Sequence, residues 1–209
     1  MTRVRNDHFD SRRGFDRGAP FLKECAWQVV KGCFFLTWFP WPSALKSFLL
    51  RLFGSEVGRG VCIKPRVHIY FPWKFKVGDH AWLGEEACIL NLEPVTLGPH
   101  CCISQRAFLC TGSHDYRDPA FSYRNRAIVV EAGAWVGATV FVAPGVVVGA
   151  DAVATAGSVV VADLPAAMIC SGNPCSAVRP RWADEPLRDG AVLVGSAALL
   201  NTVSQNGRP

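Results

Sequence analysis

Aliphatic side chains recur six residues apart through most of this chain, in five runs of three: Val57, Ile63, Ile69; Val77, Leu83, Ile89; Leu97, Ile103, Leu109; Val130, Val136, Val142; and Val148, Ala154, Val160. A period of six belongs neither to an amphipathic helix nor to an alternating strand. It is the pattern of hexapeptide repeats, in which short strands wind into a parallel β-helix. The position four after an anchor is also mostly apolar or small, as at Val61, Val67, Ala81, Ala87, Cys101, Ala107, Ala134, Val140, Val146 and Ala152. Two inward positions per hexapeptide predict a triangular coil, stacked on the next at about 4.8 Å. Small residues follow several anchors (Gly78, Gly84, Gly98, Gly137, Ala143, Gly149) and are expected to let the chain turn each corner tightly.

Breaks in the repeat set the domain plan. It slips by two residues after Ile69 and after Ile89, predicting corner bulges near Pro72 and Pro94. Between Leu109 and Val130 a longer excursion, residues 110–128, carries the sequence TGSHDYRDPAFSYRNRA. Long departures from a regular scaffold are often functional. Residues 57–165 are therefore read as the β-helix domain and residues 166–209 as a C-terminal extension, with a loosely attached tail from about Ala183. Residues 1–19 are polar and expected to be poorly ordered. Residues 20–56 form an aromatic lead-in, with nine Phe and Trp between positions 21 and 53. Two short helices are expected there, broken at Pro40 and Pro42 before any run suffices to span a membrane. They either cap the first coil or rest on a lipid surface, and one segment can do both.

Charge narrows the partners. The net +5 is not spread along the repeat: residues 57–165 hold nine basic and nine acidic residues, whereas residues 1–56 hold nine against five. Without a concentrated basic face, nucleic acid is not an expected partner. Nine cysteines, an odd number without a CxxC pair, read as small buried thiols rather than a disulfide framework. No apolar leader follows Arg3, Arg5 and Asp7. Both observations fit a reducing cytoplasm, with the inner face of the membrane as a place of peripheral contact.

The repeats, the TGSHD excursion and the SGNPCSAVRPR exit together resemble the hexapeptide acyltransferase superfamily. Within it they are most similar to the colanic acid biosynthesis acetyltransferases, relatives of the maltose and nodulation-factor O-acetyltransferases. The resemblance covers residues 57–181 and, more loosely, the lead-in ending LLRLFG. It implies a left-handed parallel β-helix, a homotrimer with sites between subunits, and direct transfer from acetyl-CoA without a metal. The acceptor implied is a sugar hydroxyl of an exopolysaccharide or a lipid-linked precursor. A soluble sugar or small amine as acceptor, or a non-catalytic β-helix scaffold, are the alternatives.

His114 matches the family's catalytic histidine. The chemistry agrees, because a sugar hydroxyl attacks a thioester poorly until a base begins to take its proton, and imidazole titrates near neutrality. Asp115 and Asp118 either support that imidazole or cap turns. The resemblance places the CoA groove along Trp135, Gly137, Ala138, Ala143, Pro144, Ala156 and Gly157, with Arg179 and Arg181 toward its phosphates. On the acceptor side it points to Trp82, Glu85, Glu86 and Asn91, where glutamates stand at positions related transferases often fill with asparagine. A competing reading, zinc hydration chemistry at His80 and His100, lacks the paired HxxxxH pattern of that class.

Overall fold

A computed structural model describes residues 3–10 and 13–182; the tail expected from about residue 183 lies outside the described residues. The inward anchors build a left-handed parallel β-helix of three faces. The first face stacks Glu56–Val57, Phe75–Val77, Val95–Leu97, Ile128–Val130 and Val147–Val148. The second stacks Cys62–Ile63, Trp82–Leu83, Cys102–Ile103, Trp135–Val136, Val153–Ala154 and Met168–Gly172. The third stacks His68–Ile69, Cys88–Leu90, Phe108–Cys110, Phe141–Val142 and Val159–Val160. Register is anchor on anchor, as in Ile63, Leu83, Ile103, Val136, Ala154 and Cys170 down the second face. All anchors but the half-exposed Val57 are buried. Each large aliphatic removed from water contributes about 1.5–3 kcal/mol.

The corner glycines earn their place differently from the expectation. Gly78, Gly84, Gly98, Gly137 and Gly149 do not carry the left-handed backbone. A Cβ on Gly78 would sit 2.5 Å from the Pro99 nitrogen of the next coil, so these residues are small because successive coils touch there. The left-handed residue comes two positions later, and at Arg66, His80, Glu86, His100, Arg106, Thr139 and Asp151 it is not glycine. The bulge expected at Pro72 is a single 3-10 turn, Pro72–Lys74.

Two helices, α1 (Phe21–Val30) and α2 (Ser43–Leu52), cover the first coil, with a π-type turn at Lys31–Phe35 continuing α1. Trp27, Phe35, Leu50 and Phe53 join the core. Each face's open first strand meets a side-chain donor from this cap. Arg51 donates to the carbonyls of Val57 and Gly58 on the first face, and Lys46 to those of Ile63 and Lys64 on the second. Trp27 Nε1 donates to Ile69 on the third.

At the other end the solenoid runs further than residue 165. Leu164 bridges Val148, and Met168–Gly172 adds a sixth rung to the second face. Cys175–Pro180 then pairs antiparallel with that rung. In the N-terminal arm Phe9 and Phe15 pack on Tyr123 of the long excursion, with Phe15 also against Phe71.

Candidate active site

The excursion leaves the third face after Cys110 and returns to the first at Ile128, so it stands at the corner between them. His114 and Tyr123 bridge its two limbs. The imidazole stacks on Phe121 at 4.2 Å between centroids and on Tyr123 at 4.9 Å, while Phe9 meets it edge-on at 5.1 Å. His114 Nδ1 lies 2.7 Å from the Phe121 carbonyl oxygen. A carbonyl can only accept, so in the neutral ring Nδ1 carries the proton and Nε2 the lone pair. Phe121 holds a left-handed backbone at φ 51°, a costly conformation for a bulky residue, and it aims that carbonyl at the ring.

Neither nearby aspartate touches the imidazole. Asp115 accepts the amide of Arg117, and Asp118 accepts the Ala120 amide and the Ser122 hydroxyl, which hold its carboxyl below the usual range. Both shape the turn. Phe9, Phe121 and Tyr123 surround the His114 ring and were not singled out by the motif. Their signal was faint: isolated aromatics in two otherwise polar segments.

The residues expected to hold CoA divide between two corners of one chain. Gly137, Ala138, Ala156 and Gly157 line the corner between the second and third faces, where Gly157 donates its amide to Ala138 O. A Cβ on Gly157 would meet nothing within 4 Å, so the corner is open there. Trp135 projects from the adjoining second face and donates Nε1 to Ser104 Oγ at 2.8 Å. Ala143 and Pro144 instead lie at the corner of the His114 excursion, beside Arg126 at its base. Arg181 donates to the carbonyls of Gly133 and Asp151 at the corner between the first and second faces. Arg179 stands on the edge strand opposite Ile169.

On the acceptor side, Trp82 is exposed on the second face, two rungs below Trp135, with the Lys64 ammonium 4.8 Å from its ring centre. Glu85 is half-buried at the second corner. Glu86 is held between Arg66 and Arg106, at 3.1 Å from the former, and the Arg106 guanidinium keeps its carboxyl below the ordinary range. Asn91 is fully buried, its amide accepting from Phe71 N and donating to Phe71 O. These two side chains fasten corners. His80 and His100 stack with centroids 5.3 Å apart, both being left-handed corner residues of successive coils. Among the described residues no group of three or more His, Cys, Asp or Glu is placed to hold a metal ion, and no helix is long and apolar enough to cross a membrane.

No protein-family model matches the chain. Over 181 residues it is 40% identical to the protein named as colanic acid biosynthesis acetyltransferase WcaF of Escherichia coli (strain K12), spanning 85% of this chain and 97% of that one. The crystal structure of a hexapeptide-repeat-containing acetyltransferase from Vibrio cholerae superposes with a TM-score of 0.69 at 28% identity, covering 76% of this chain and 90% of that one. The acetyl coenzyme A complex of such an enzyme from Vibrio cholerae O1 biovar eltor gives 0.62 at 31% identity, over 68% and 80%.

Proposed function

This chain belongs to the family of colanic acid biosynthesis acetyltransferases, and from that membership we propose that it acetylates a sugar hydroxyl of an exopolysaccharide or lipid-linked precursor, with His114 as general base. It is an acyl-CoA-dependent acyltransferase, with acetyl-CoA as donor. His114 Nε2 takes the hydroxyl proton as the oxygen attacks the thioester carbonyl. The tetrahedral oxyanion then collapses, the C–S bond breaks, and the imidazolium returns the proton to the departing CoA thiolate. The observation that carries this reading is the Nδ1 contact to Phe121, because it fixes the tautomer that leaves Nε2 basic.

The acceptor arrives beside His114, and the donor lies in the open corner along Gly137, Ala138, Ala156 and Gly157. Within one chain those are different corners. Two partly exposed apolar faces support a way to join them: Trp82, Cys102 and Trp135 project from the second face, and Cys88, Phe108 and Phe141 from the third. A head-to-tail contact of the second face with a neighbour's third face closes after three copies and brings one chain's His114 to the next chain's groove.

Complementation tests both parts. His114→Ala should be almost inactive yet folded and trimeric, because it removes a base without disturbing the repeat. Ala138→Trp should separately obstruct the groove. When the two variants are unfolded together and refolded as mixed trimers, about one quarter of sites regain both intact halves. A site within one chain predicts no recovery, and mass-verified mixed trimers no more active than the parents would sink the shared site. Labelled acetyl-CoA incubated with a glycolipid extract and a panel of soluble sugars identifies the acceptor.

A further inference from the structure

Several charged and polar residues of the helical cap face inward, Lys46, Lys31, Glu24 and Ser47 all being buried, while Gln28 and Arg51 stay exposed. Each of the buried ionisable ones has an internal task. Lys46 holds strand carbonyls, Glu24 pairs with Arg17, and the Lys31 ammonium sits 5.2 Å from the Tyr70 ring centre. Many of its large apolar residues face outward. Phe21 is 76% exposed, Leu22 80%, Trp38 63%, Phe48 58% and Leu52 66%. Val29 and Phe39 extend the same pattern. Nothing in the chain's own packing calls for this arrangement, since the core side of the cap is already filled by Trp27, Phe35, Leu50 and Phe53. Apolar surface of this kind on a soluble fold marks a contact site.

The chemistry at its edge selects the occupant. Arg51 and Arg59 line a cleft of about 560 Å³ beside the exposed stripe of α2, together with Ser43 and Ser47. Arg59 pairs with Asp79 at 3.3 Å yet its side chain stays 88% exposed, and Glu56 pairs with Lys76. Helices α1 and α2 hold one acid, Glu24, which is buried against Arg17, while Lys23 is partly exposed and Arg51 exposed on them. Trp and Phe in an apolar patch rimmed by arginines fit the boundary between acyl chains and anionic headgroups. We propose that the outer face of α1 and α2 docks on an anionic lipid bilayer, with the aromatic and aliphatic side chains in the interfacial layer and the Arg51–Arg59 rim against the headgroup phosphates. The docking rests on the cap alone and holds whether the acetyl acceptor is lipid-linked or soluble.

Deleting the lead-in would strip Trp27, Phe35 and Leu50 from the core, so the test uses full-length chains. The triple variant Phe21→Ser, Leu22→Ser, Phe48→Ser changes only exposed positions. The wild type should float with vesicles of phosphatidylglycerol and phosphatidylethanolamine. The variant's partition coefficient should fall at least about tenfold, with circular dichroism and sedimentation unchanged. Wild type that stays at the bottom of the gradient, or a variant that floats equally well, would overturn the docking surface. Equal flotation on phosphatidylcholine would overturn its anionic character. A wild-type species that dissociates into smaller particles in the triple variant would assign the patch to a second copy of the chain instead. The vesicles contain no acceptor, so failure here leaves acetyl transfer to be judged by its own assay.

Discussion

At the scale of single residues, burial decides which side chains react and which respond to pH. His68 projects from the outer side of the third face, stacked on Tyr70 at 4.2 Å, with Nε2 buried and without a hydrogen-bond partner. Burial, reinforced by the Lys31 charge, pushes it down to about 4. Tyr70 and Cys88, which share this pocket with Lys31, are shifted up by the same burial. The unfolded chain takes up a proton on this histidine near pH 6.5, before the folded protein does. The stability tied to neutral His68 is therefore complete above that pH and lost as pH falls toward about 4. Discounted for partial exposure, the loss is on the order of 2 kcal/mol. Denaturant unfolding of His68→Leu should show a flatter pH dependence than wild type across that window, and parallel curves would refute the assignment. Cys110 is a second case. Burial raises its thiol and its Sγ contacts the Gly112 carbonyl oxygen at 3.3 Å, so little thiolate forms near neutrality. Cys110→Ala should keep most activity. An acetylated Cys110 that appears and decays at the turnover rate would reverse that expectation.

At the scale of elements, coil-to-coil contact governs the corners. Gly78→Ala places a methyl group 2.5 Å from the Pro99 nitrogen and 2.9 Å from the Gly98 carbonyl carbon, both backbone atoms that cannot swing aside. Crowding of this kind costs about 1–3 kcal/mol, which should lower the melting midpoint by several degrees. An unchanged midpoint would mean the coils separate without penalty. The repeat was legible because its signal is one-dimensional: anchors at fixed spacing report strand, face and register together. The corner chemistry was not, because the atom that excludes a Cβ belongs to residues about twenty positions away. The sixth rung was hidden by a slip in the other direction. Leu164 and Cys170 are six apart like the anchors within each run, but Leu164 comes only four positions after Val160, and Pro165 gave the appearance of an ending. The TGSHD motif marked His114 at once, whereas the Phe121 carbonyl that sets its tautomer is a backbone atom in a left-handed conformation, which leaves no trace in side-chain identity.

At the scale of the whole molecule, the three-sided solenoid separates tasks by direction. The proposed chemistry sits at its corners, partly exposed apolar side chains line its outer second and third faces, and one end turns an apolar cap outward. The two ends also answer a question the repeat itself leaves open. Every rung is a template for another at the same spacing, and the spacing is that of cross-β fibres. At the first coil, Arg51, Lys46 and Trp27 occupy carbonyls that a further strand would otherwise engage, one donor to each face. At the last, a strand running the opposite way covers the second face. These terminal contacts act as stop signals for growth. They keep a sequence whose internal logic is endlessly repeatable from recruiting other molecules end to end, and so make it a countable enzyme rather than the seed of a filament.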